Sequence, residues 1–282
     1  MPCTVERISS APATPEGDGM VVHRAFPSQT VGRLDPFLML DEMGPLTLPP
    51  NSRAGFPDHP HRGFETVTYL LEGEFEHRDS HGHKGRLGPG DVQWMTAGSG
   101  VLHSEMPSAT LRKSGGTLHG LQLWVNLPKR DKMMPARYQE FPSASLPRVD
   151  LPNGFVRILA GRFQDAKAII ATQTPIQFLH AELNHGAVTM DVPAGHRAFA
   201  YVVRGSGTVA GKPVRHSELA VLAGDGAVAV EAGPDGIGLV LISGVPLREP
   251  VFQSGPFVMT TRDEIIQAYT DYQDGKFGTI AR

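Results

Sequence analysis

Two pairs of candidate metal ligands constrain the fold of this chain more than any other feature. His59 and His61 form the first pair, and His103 and Glu105 form the second. Side chains two positions apart on an extended strand point to the same side, so each pair places two donor groups on one face. Two such strands facing one interior can enclose a single ion. The spacing therefore predicts one metal site inside a small β-barrel.

The donor set indicates which ions this site would accept. Neutral imidazoles suit Fe, Cu, Ni or Zn, and a carboxylate adds one negative charge. Either pair alone is more often a pair of exposed histidines or polar residues without a metal. Two pairs together, each beside Gly or Pro turns, favour a metal site. Three histidines and one glutamate leave a divalent ion with a net positive charge, which would attract an anionic oxygen ligand.

Composition favours many short strands over helices. The 282 residues include 32 Gly and 24 Pro, and runs with helical spacing of apolar residues are scarce, a combination typical of strands joined by tight turns. The length allows one large domain or two of ordinary size. The formal net charge of −3 provides no basic surface, so direct binding of nucleic acid is not expected.

The chain shows no sequence signal for export or for a membrane. The first residues lack the apolar core of a signal peptide, and no apolar run approaches the roughly 18 residues needed to span a bilayer. Cys3 is the only cysteine, so an intrachain disulfide is excluded. A reducing cytoplasm is the expected compartment, and no membrane partner is expected.

The stretch after Gly63 predicts a central strand with two largely apolar faces. Its alternation gives two sets of side chains, which are Glu65, Val67, Tyr69 and Leu71 on one face and Phe64, Thr66, Thr68 and Leu70 on the other. By the same parity Glu65 shares the face of His61. Glu65 is therefore a second candidate for the carboxylate ligand, beside Glu105.

A weak internal repeat predicts a second barrel without metal ligands. His61-Arg62-Gly63-Phe64 is echoed by His196-Arg197-Ala198-Phe199, and later motifs follow in the same order. Under this alignment His59 falls on Ala194 and Glu65 on Ala200. Five prolines punctuate the stretch between the copies. The expected organisation is a metal-binding barrel at 1–130, a linker at 131–150 and a second barrel at 151–282.

The end of the chain carries one helix signal. Thr261 followed by Glu264 fits a capping box, and apolar residues then recur at helical spacing up to Gly275. The pattern predicts a helix at about 262–274 within the second barrel's segment.

The remaining histidines are interpreted more plainly. His77, His81 and His83 lie in a polar, glycine-rich stretch and are expected on a surface loop. His119 lies on the apolar face of its strand and is expected to be a satisfied buried histidine, with a hydrogen bond to Glu105 or to a water as its role. His196 lacks partner ligands and is expected to be structural.

Longer motifs identify a family. The stretch from His59 to Val67 resembles the first sequence motif of cupins, in a form similar to the pirin family. Further pirin-like stretches are 35–44, 90–98, 119–127, 246–251 and 255–259. The resemblance covers nearly the whole chain and is strongest over 35–130.

The resemblance implies an all-β bicupin, that is, two tandem cupin-type β-barrels, here with a short C-terminal helix. It implies metal in the N-terminal barrel only, held by His59, His61, His103 and Glu105, with Glu65 a structural or supporting carboxylate. Iron is the usual metal of the family, and Cu, Ni, Mn, Co or Zn are alternatives.

The same resemblance implies two kinds of activity. Pirins resemble flavonol dioxygenases, so the expected reaction is cleavage of a flavonol such as quercetin with O₂ and release of CO. Glu105 would then also be catalytic, accepting the proton of the 3-hydroxyl group. The alternative is a metal-containing regulatory protein that binds a protein partner, as a transcription co-regulator or as a modulator of a metabolic enzyme. The chain is expected to act as a monomer.

Overall fold

The fold is built almost entirely from β-strands, as the turn-rich sequence predicts. The computed structural model describes residues 3–281. Its strands in chain order are β1 (Thr4–Ser10), β2 (Ala13–Glu16), β3 (Met20–Phe26), β4 (Phe37–Leu48), β5 (Phe56–His61), β6 (Phe64–Glu72), β7 (Phe75–Asp79), β8 (Lys84–Leu87), β9 (Val92–Thr96), β10 (Val101–Pro107), β11 (Gly116–Asn126), β12 (Arg137–Phe141), β13 (Arg148–Leu151), β14 (Gly154–Ala160), β15 (Arg162–Phe163), β16 (Ala166–Lys167), β17 (Ile176–Leu183), β18 (Ala187–Val192), β19 (Arg197–Val209), β20 (Lys212–Arg215), β21 (Glu218–Ala223), β22 (Gly226–Gly244), β23 (Phe252–Ser254) and β24 (Phe257–Met259).

Helices are few and short. They are α1 (Ala109–Ser114) and α2 (Arg262–Gln273), with single 3-10 turns at Lys129–Asp131 and Ser143–Ser145. The capping box predicted for α2 is confirmed. The Thr261 hydroxyl accepts a hydrogen bond from the backbone N–H of Glu264 at 3.2 Å, and the Glu264 carboxylate accepts one from the backbone N–H of Thr261 at 3.0 Å. Within residues 3–281, no helix has the length and apolar character required to cross a membrane.

The chain forms two compact units, and each is assembled from separated segments. The histidine unit comprises Ala13–Val22, Met39–Ser143 and the segment from Arg248 onward. The apolar unit comprises the segment up to Pro12, His23–Leu38 and Ala144–Leu247. The division of the chain into contiguous segments, with domain boundaries at residues 130 and 150, stays a prediction. By its contacts, however, the C-terminal segment from 248, with α2, belongs to the histidine unit.

Two larger antiparallel sheets and the two-stranded sheet β23-β24 build the histidine unit. One larger sheet runs in the order β5-β10-β7-β8, and the other in the order β12-β9-β6-β11-β4-β3-β2. Strand β12 falls inside the stretch predicted to be a linker, where it pairs with β9 from Arg137↔Thr96 to Phe141↔Val92. Spaced prolines at 135 and 142 flank this strand without entering it, so the stretch adds an edge strand to the sheet.

One large sheet dominates the apolar unit. Its order is β1-β21-β19-β22-β17-β14-β13, with β18 paired to β22 and β20 paired to β19. Alternate residues of its strands fill a core of Val, Leu, Ile, Ala, Met, Phe and Cys side chains. On β19 these inward residues are Ala198, Ala200 and Val202. Burial of this apolar area is the main source of stability for the unit.

Candidate metal centre

Three histidines meet in the interior of the histidine unit. Strand pairing sets His59 on β5 directly opposite His103 on β10, and His61 lies two residues further along β5. One ring nitrogen from each lies within 4.8 Å of those of the other two. The ring centroids are separated by 4.3 Å for His59 and His103, 4.7 Å for His59 and His61, and 4.9 Å for His61 and His103. The structure thus brings together three of the four residues predicted as ligands.

Backbone carbonyl groups fix the tautomers of the first pair. The Nδ1 atom of His59 lies 2.8 Å from the carbonyl oxygen of Pro57, and that of His61 lies 3.4 Å from the carbonyl oxygen of Pro256. A carbonyl only accepts, so each Nδ1 carries the proton and donates it. Each Nε2 is then left with a lone pair, the form in which histidine binds a metal.

His103 lies deepest and lacks any hydrogen bond among the described residues. It is fully buried, and neither of its ring nitrogens has a partner. Burial, followed by the neighbouring His59, holds the pKa values of His61 and His103 well below their ordinary range. Both rings are therefore neutral at physiological pH. A buried polar group without a partner is costly, and a bound cation would satisfy His103.

Glu105 lies two residues beyond His103 and is held by the facing sheet. Its Oε1 accepts a hydrogen bond from Thr68 Oγ1 at 2.6 Å, and its Oε2 accepts one from Gln122 Nε2 at 2.9 Å. Burial raises the pKa of Glu105, opposed in part by the Thr68 hydrogen bond and the proximity of His59. The group of mutually close donor atoms that contains His103 consists of the three histidines and does not include a Glu105 oxygen.

The facing sheet supplies a polar and aromatic wall. Its register aligns two rows across the strands, which are Tyr138, Met95, Thr66 and Trp124 in one and Glu140, Gln93, Thr68 and Gln122 in the other. The Trp124 ring lies 5.1 Å from the His61 ring. Trp124, Gln122 and His59 are only half-buried. The exposed side of the histidine cluster therefore lies along β11.

Glu65 does not share the face of His61, contrary to the parity argument. Thr96 Oγ1 donates to its Oε1 at 2.7 Å, and its side chain is fully buried. Burial raises the pKa of Glu65. Gly63 has φ +87, a conformation that breaks the extended backbone between β5 and β6, so the two-residue alternation does not carry across it. Glu65 is a structural carboxylate, as the family resemblance implies.

His77 is not on a surface loop, contrary to the prediction. It lies on β7 opposite Glu105, is 2% exposed, and has no hydrogen-bond partner for either ring nitrogen. Its ring lies 5.3 Å from His103 and 5.1 Å from Tyr138. Only the stretch after Asp79 is a turn. The apolar Phe75 two residues earlier is the one sequence signal that could have placed His77 in a strand.

His119 lies apart from the histidine cluster and makes a hydrogen-bonded contact with a buried carboxylate. Its Nε2 lies 2.8 Å from Oε1 of Glu42, whose side chain is fully buried. The prediction of a satisfied histidine is confirmed, and the partner that satisfies it is Glu42. The expected hydrogen bond to Glu105 or to a water stays a prediction. Strands β4 and β11 are neighbours in the sheet, which brings these two residues together.

The donor chemistry fits one transition-metal ion. Three imidazoles converge within 4.8 Å. The Nδ1 atoms of His59 and His61 face backbone carbonyl oxygens, and His103 has no hydrogen-bond partner among the described residues. A carboxylate stands on the same strand as the third. This set suits Fe, Ni, Cu, Co or Zn, and the nitrogen donors disfavour Mg and Ca, which prefer oxygen ligands.

The fold and the site together define a protein of the cupin class, with two cupin domains. Residues 19–125 match the Pirin family and residues 178–278 match the Pirin C-terminal cupin domain. The chain belongs to the pirin family.

Relatives and solved structures agree with this assignment. A Pseudomonas aeruginosa protein named "Putative quercetin 2,3-dioxygenase" is 46% identical over 93% of both chains. A pirin-like protein of Solanum lycopersicum is 46% identical over 95% of this chain and 90% of its own. The crystal structure of quercetin 2,3-dioxygenase from Acinetobacter baumannii has a TM-score of 0.93 and 36% identity, with all of both chains covered.

Proposed function

We propose that this protein is a metal-dependent dioxygenase that cleaves flavonols such as quercetin with O₂ and releases CO. The metal, one divalent ion, is held by His59, His61, His103 and Glu105. The observation that carries the proposal is the convergence of three histidines, of which His103 has no hydrogen-bond partner among the described residues. The names of the similar Pseudomonas and Acinetobacter proteins support the reaction class.

Iron is the metal proposed, because the reaction consumes O₂. When bound, such an ion supplies Lewis acidity and redox chemistry at the open side of the histidine cluster. Nickel, copper, cobalt, manganese and zinc are candidates for the same donors, and metal analysis of the protein as isolated distinguishes them.

Glu105 is proposed to accept the proton of the flavonol 3-hydroxyl group. A positioned carboxylate within reach of a hydroxyl proton can serve as a general base. The hydrogen bonds from Thr68 and Gln122 fix the direction of its two oxygens, so the carboxylate is oriented before substrate arrives. A bound flavonolate anion would also be attracted by the net positive charge of the loaded site.

The half-buried side chains of β11 are proposed to select a planar substrate. Trp124 packs against Phe64 with ring centroids 4.4 Å apart and keeps part of its ring exposed beside His61. An aromatic ring of that kind can stack on a flavonol. Trp124→Leu is expected to raise KM for quercetin with less effect on kcat, since it removes contact area without touching the donors.

The test is direct. Iron-loaded protein is incubated with quercetin under O₂, and flavonol absorbance and CO are followed together. CO release that is lost in His103→Ala supports the proposal. Glu105→Gln with metal still bound should abolish CO release, whereas the matched variant Glu65→Gln should not. Unchanged turnover in Glu105→Gln would remove the base role.

The alternative is a metal-containing regulatory protein that binds a protein partner. The pirin names of relatives such as the tomato protein are compatible with it. An intact histidine cluster is expected under both functions. Iron-loaded wild-type protein that binds metal in a 1:1 ratio but releases no CO from quercetin would favour this alternative.

A further inference from the structure

The C-terminal segment, residues 252–277, packs against the turn that follows the first ligand pair. Val258 N–H donates to the carbonyl oxygen of Arg62 at 3.0 Å, and Phe257 forms a parallel bridge with Arg62. One residue earlier, the Pro256 carbonyl accepts from Nδ1 of His61. A ligand histidine is thus oriented by a backbone group that lies 195 positions away in the chain.

A buried lysine holds this segment to the same turn. Lys132 is 1% exposed, and its Nζ donates to the carbonyl oxygens of Gly63 at 2.8 Å and Val258 at 3.0 Å and to Oδ1 of Asn126 at 2.6 Å. An ammonium group uses all three of its protons in this way. Burial of a charge is costly unless every donor is satisfied, so Lys132 strongly favours the arrangement in which β24 lies on Gly63.

Helix α2 adds a second attachment, also to Arg62. The Arg62 Nη1 atom lies 2.8 Å from Oδ2 of Asp271 in a buried ion pair. Arg62 Nε donates to the carbonyl oxygen of Ser99 at 2.7 Å, in the loop that leads into the strand of His103 and Glu105. The guanidinium group also lies 4.7 Å from the ring centre of Phe277.

Close packing excludes any side chain larger than that of glycine at two positions, Gly63 and Gly100. A Cβ atom on Gly63 would lie 2.0 Å from the carbonyl oxygen of Val258, and one on Gly100 would lie 2.6 Å from the Phe277 ring. Gly63 follows the first ligand pair and Gly100 precedes the second. The segment therefore contacts the chain beside both pairs.

We propose that residues 252–277 are a positioning element for the metal centre, and that Asp271 and Lys132 are its positioning residues. The segment holds the Pro256 carbonyl against His61 and thereby keeps the His61 Nε2 lone pair directed at the ion. Outer groups that bond a ligand histidine fix its ring and raise its basicity. The inference rests on the metal site proposed above and assigns a role to a segment that contributes no ligand.

The experiment uses cobalt(II) as the probe, with the full-length protein. Asp271→Ala and Lys132→Met are compared with Asp274→Ala, an exposed acid at the same helix end whose Oδ2 lies 3.4 Å from Nζ of Lys276. Cobalt affinity is measured by competition with a chromophoric chelator, and coordination geometry by the visible d–d absorption. Loss of an outer-shell partner lowers metal affinity about 10- to 100-fold, so both test variants should weaken binding to this extent and change the spectrum.

Three outcomes decide the matter. Wild-type affinity and spectrum in Asp271→Ala would overturn the inference while leaving the metal site intact. A wild-type protein that binds no cobalt would overturn the metal site itself, and the inference with it. An equal loss of affinity in Asp274→Ala would show a general effect of charge and would also overturn it.

A measurement on the wild-type protein covers the case in which a variant fails to fold. If the segment orients His61, then cobalt binding must in turn stabilise the segment, because coupling between two sites is reciprocal. Hydrogen exchange at Val258, whose N–H is bonded to Arg62, should slow when cobalt is added. Exchange that is unchanged there, with cobalt bound, would overturn the inference.

Discussion

The two units carry related sequence motifs but fill their interiors in opposite ways. In the histidine unit, His61 faces two other imidazoles, and Thr68, Gln122 and Glu105 form a hydrogen-bonded group. In the apolar unit, the echoed His196 has Nδ1 3.0 Å from the Ser243 hydroxyl, and the core is made of apolar side chains. The comparison teaches that this scaffold needs no polar interior to fold.

The polar interior of the histidine unit therefore lowers its stability and is explained by function, not by the needs of folding. His77 and His103 each leave two buried ring nitrogens without hydrogen bonds, an arrangement that lowers stability unless a ligand or an ion compensates. Under the repeat alignment, the position of the ligand His59 is taken by Ala194 in the apolar unit. Ala198 and Ala200 point into the core of that unit.

The largest expected effect comes from His103→Leu. It removes the deepest donor, so metal affinity should fall by more than the roughly 100-fold reached when an outer-shell partner is lost. Metal-free stability should not fall, because an apolar side chain replaces a buried polar group without partners. Chelator competition and thermal unfolding of the metal-free protein check the two parts. His180→Leu in the apolar unit is the control and should retain the metal affinity of the wild type.

A large-to-small substitution in the apolar unit should lower stability and leave metal affinity unchanged, the opposite of what is expected for His103→Leu. Leu241 is fully buried in that core, and Leu241→Ala is expected to lower the free energy of unfolding by about 2–5 kcal/mol. Metal stoichiometry and affinity of the folded protein should stay as in the wild type. Urea unfolding together with metal titration measures both. A loss of affinity as large as that of His103→Leu would break the distinction between the two interiors.

The buried His77 should make the metal-free protein sensitive to acid. Burial lowers its pKa to about 3, whereas in the unfolded chain the value is about 6.5. The unfolded state thus binds a proton below pH 6.5 that the folded state does not. Stability is full above that pH and falls, as pH drops, by up to about 1.4 kcal/mol per pH unit from this residue.

The variant His77→Gln should reduce the slope of the free energy of unfolding against pH by up to about 1.4 kcal/mol per pH unit. Urea unfolding of metal-free protein at several pH values between 4 and 7 gives the slope. His81→Gln is the matched control, since His81 is exposed. Parallel curves for His77→Gln and the wild type would contradict the assignment of acid sensitivity to this residue.

The smallest expected effect comes from Thr68→Val. The change keeps the shape of the side chain and removes the hydrogen bond to Glu105 Oε1. A hydrogen bond to a charged group contributes about 1.5–3 kcal/mol, so turnover of quercetin should fall by at least about 10-fold, with metal retained. Thr66→Val, on the same face two residues earlier, should have little effect. Equal rates for both variants would argue against a role for the oriented carboxylate.

Much of the fold and part of the site were predictable from local patterns. Alternation predicted the strands, the capping box predicted α2, and the paired spacing predicted that His59, His61 and His103 converge. These signals depend on residues a few positions apart, which is the range over which strand and helix periodicity act.

The failures share one cause, which is that distant contacts and turns override local periodicity. The turn at Gly63 interrupts the alternation of side chains, so Glu65 does not lie on the same face as His61. The glycine-rich composition after Asp79 concealed that His77 is still in a strand. The association of the C-terminal segment with the histidine unit depends on Lys132 and on the Arg62–Asp271 pair, for which no short-range pattern exists.

The discontinuous histidine unit also has a consequence for how the protein is made. Synthesis on the ribosome produces residues 39–143, with all four proposed ligands, before the whole of the apolar unit's last segment and before Pro256. Domains tend to fold as their chain emerges, but the His61–Pro256 contact must wait until Pro256 has been translated. A nascent protein would thus complete the proposed metal centre only after the whole apolar unit has been synthesised.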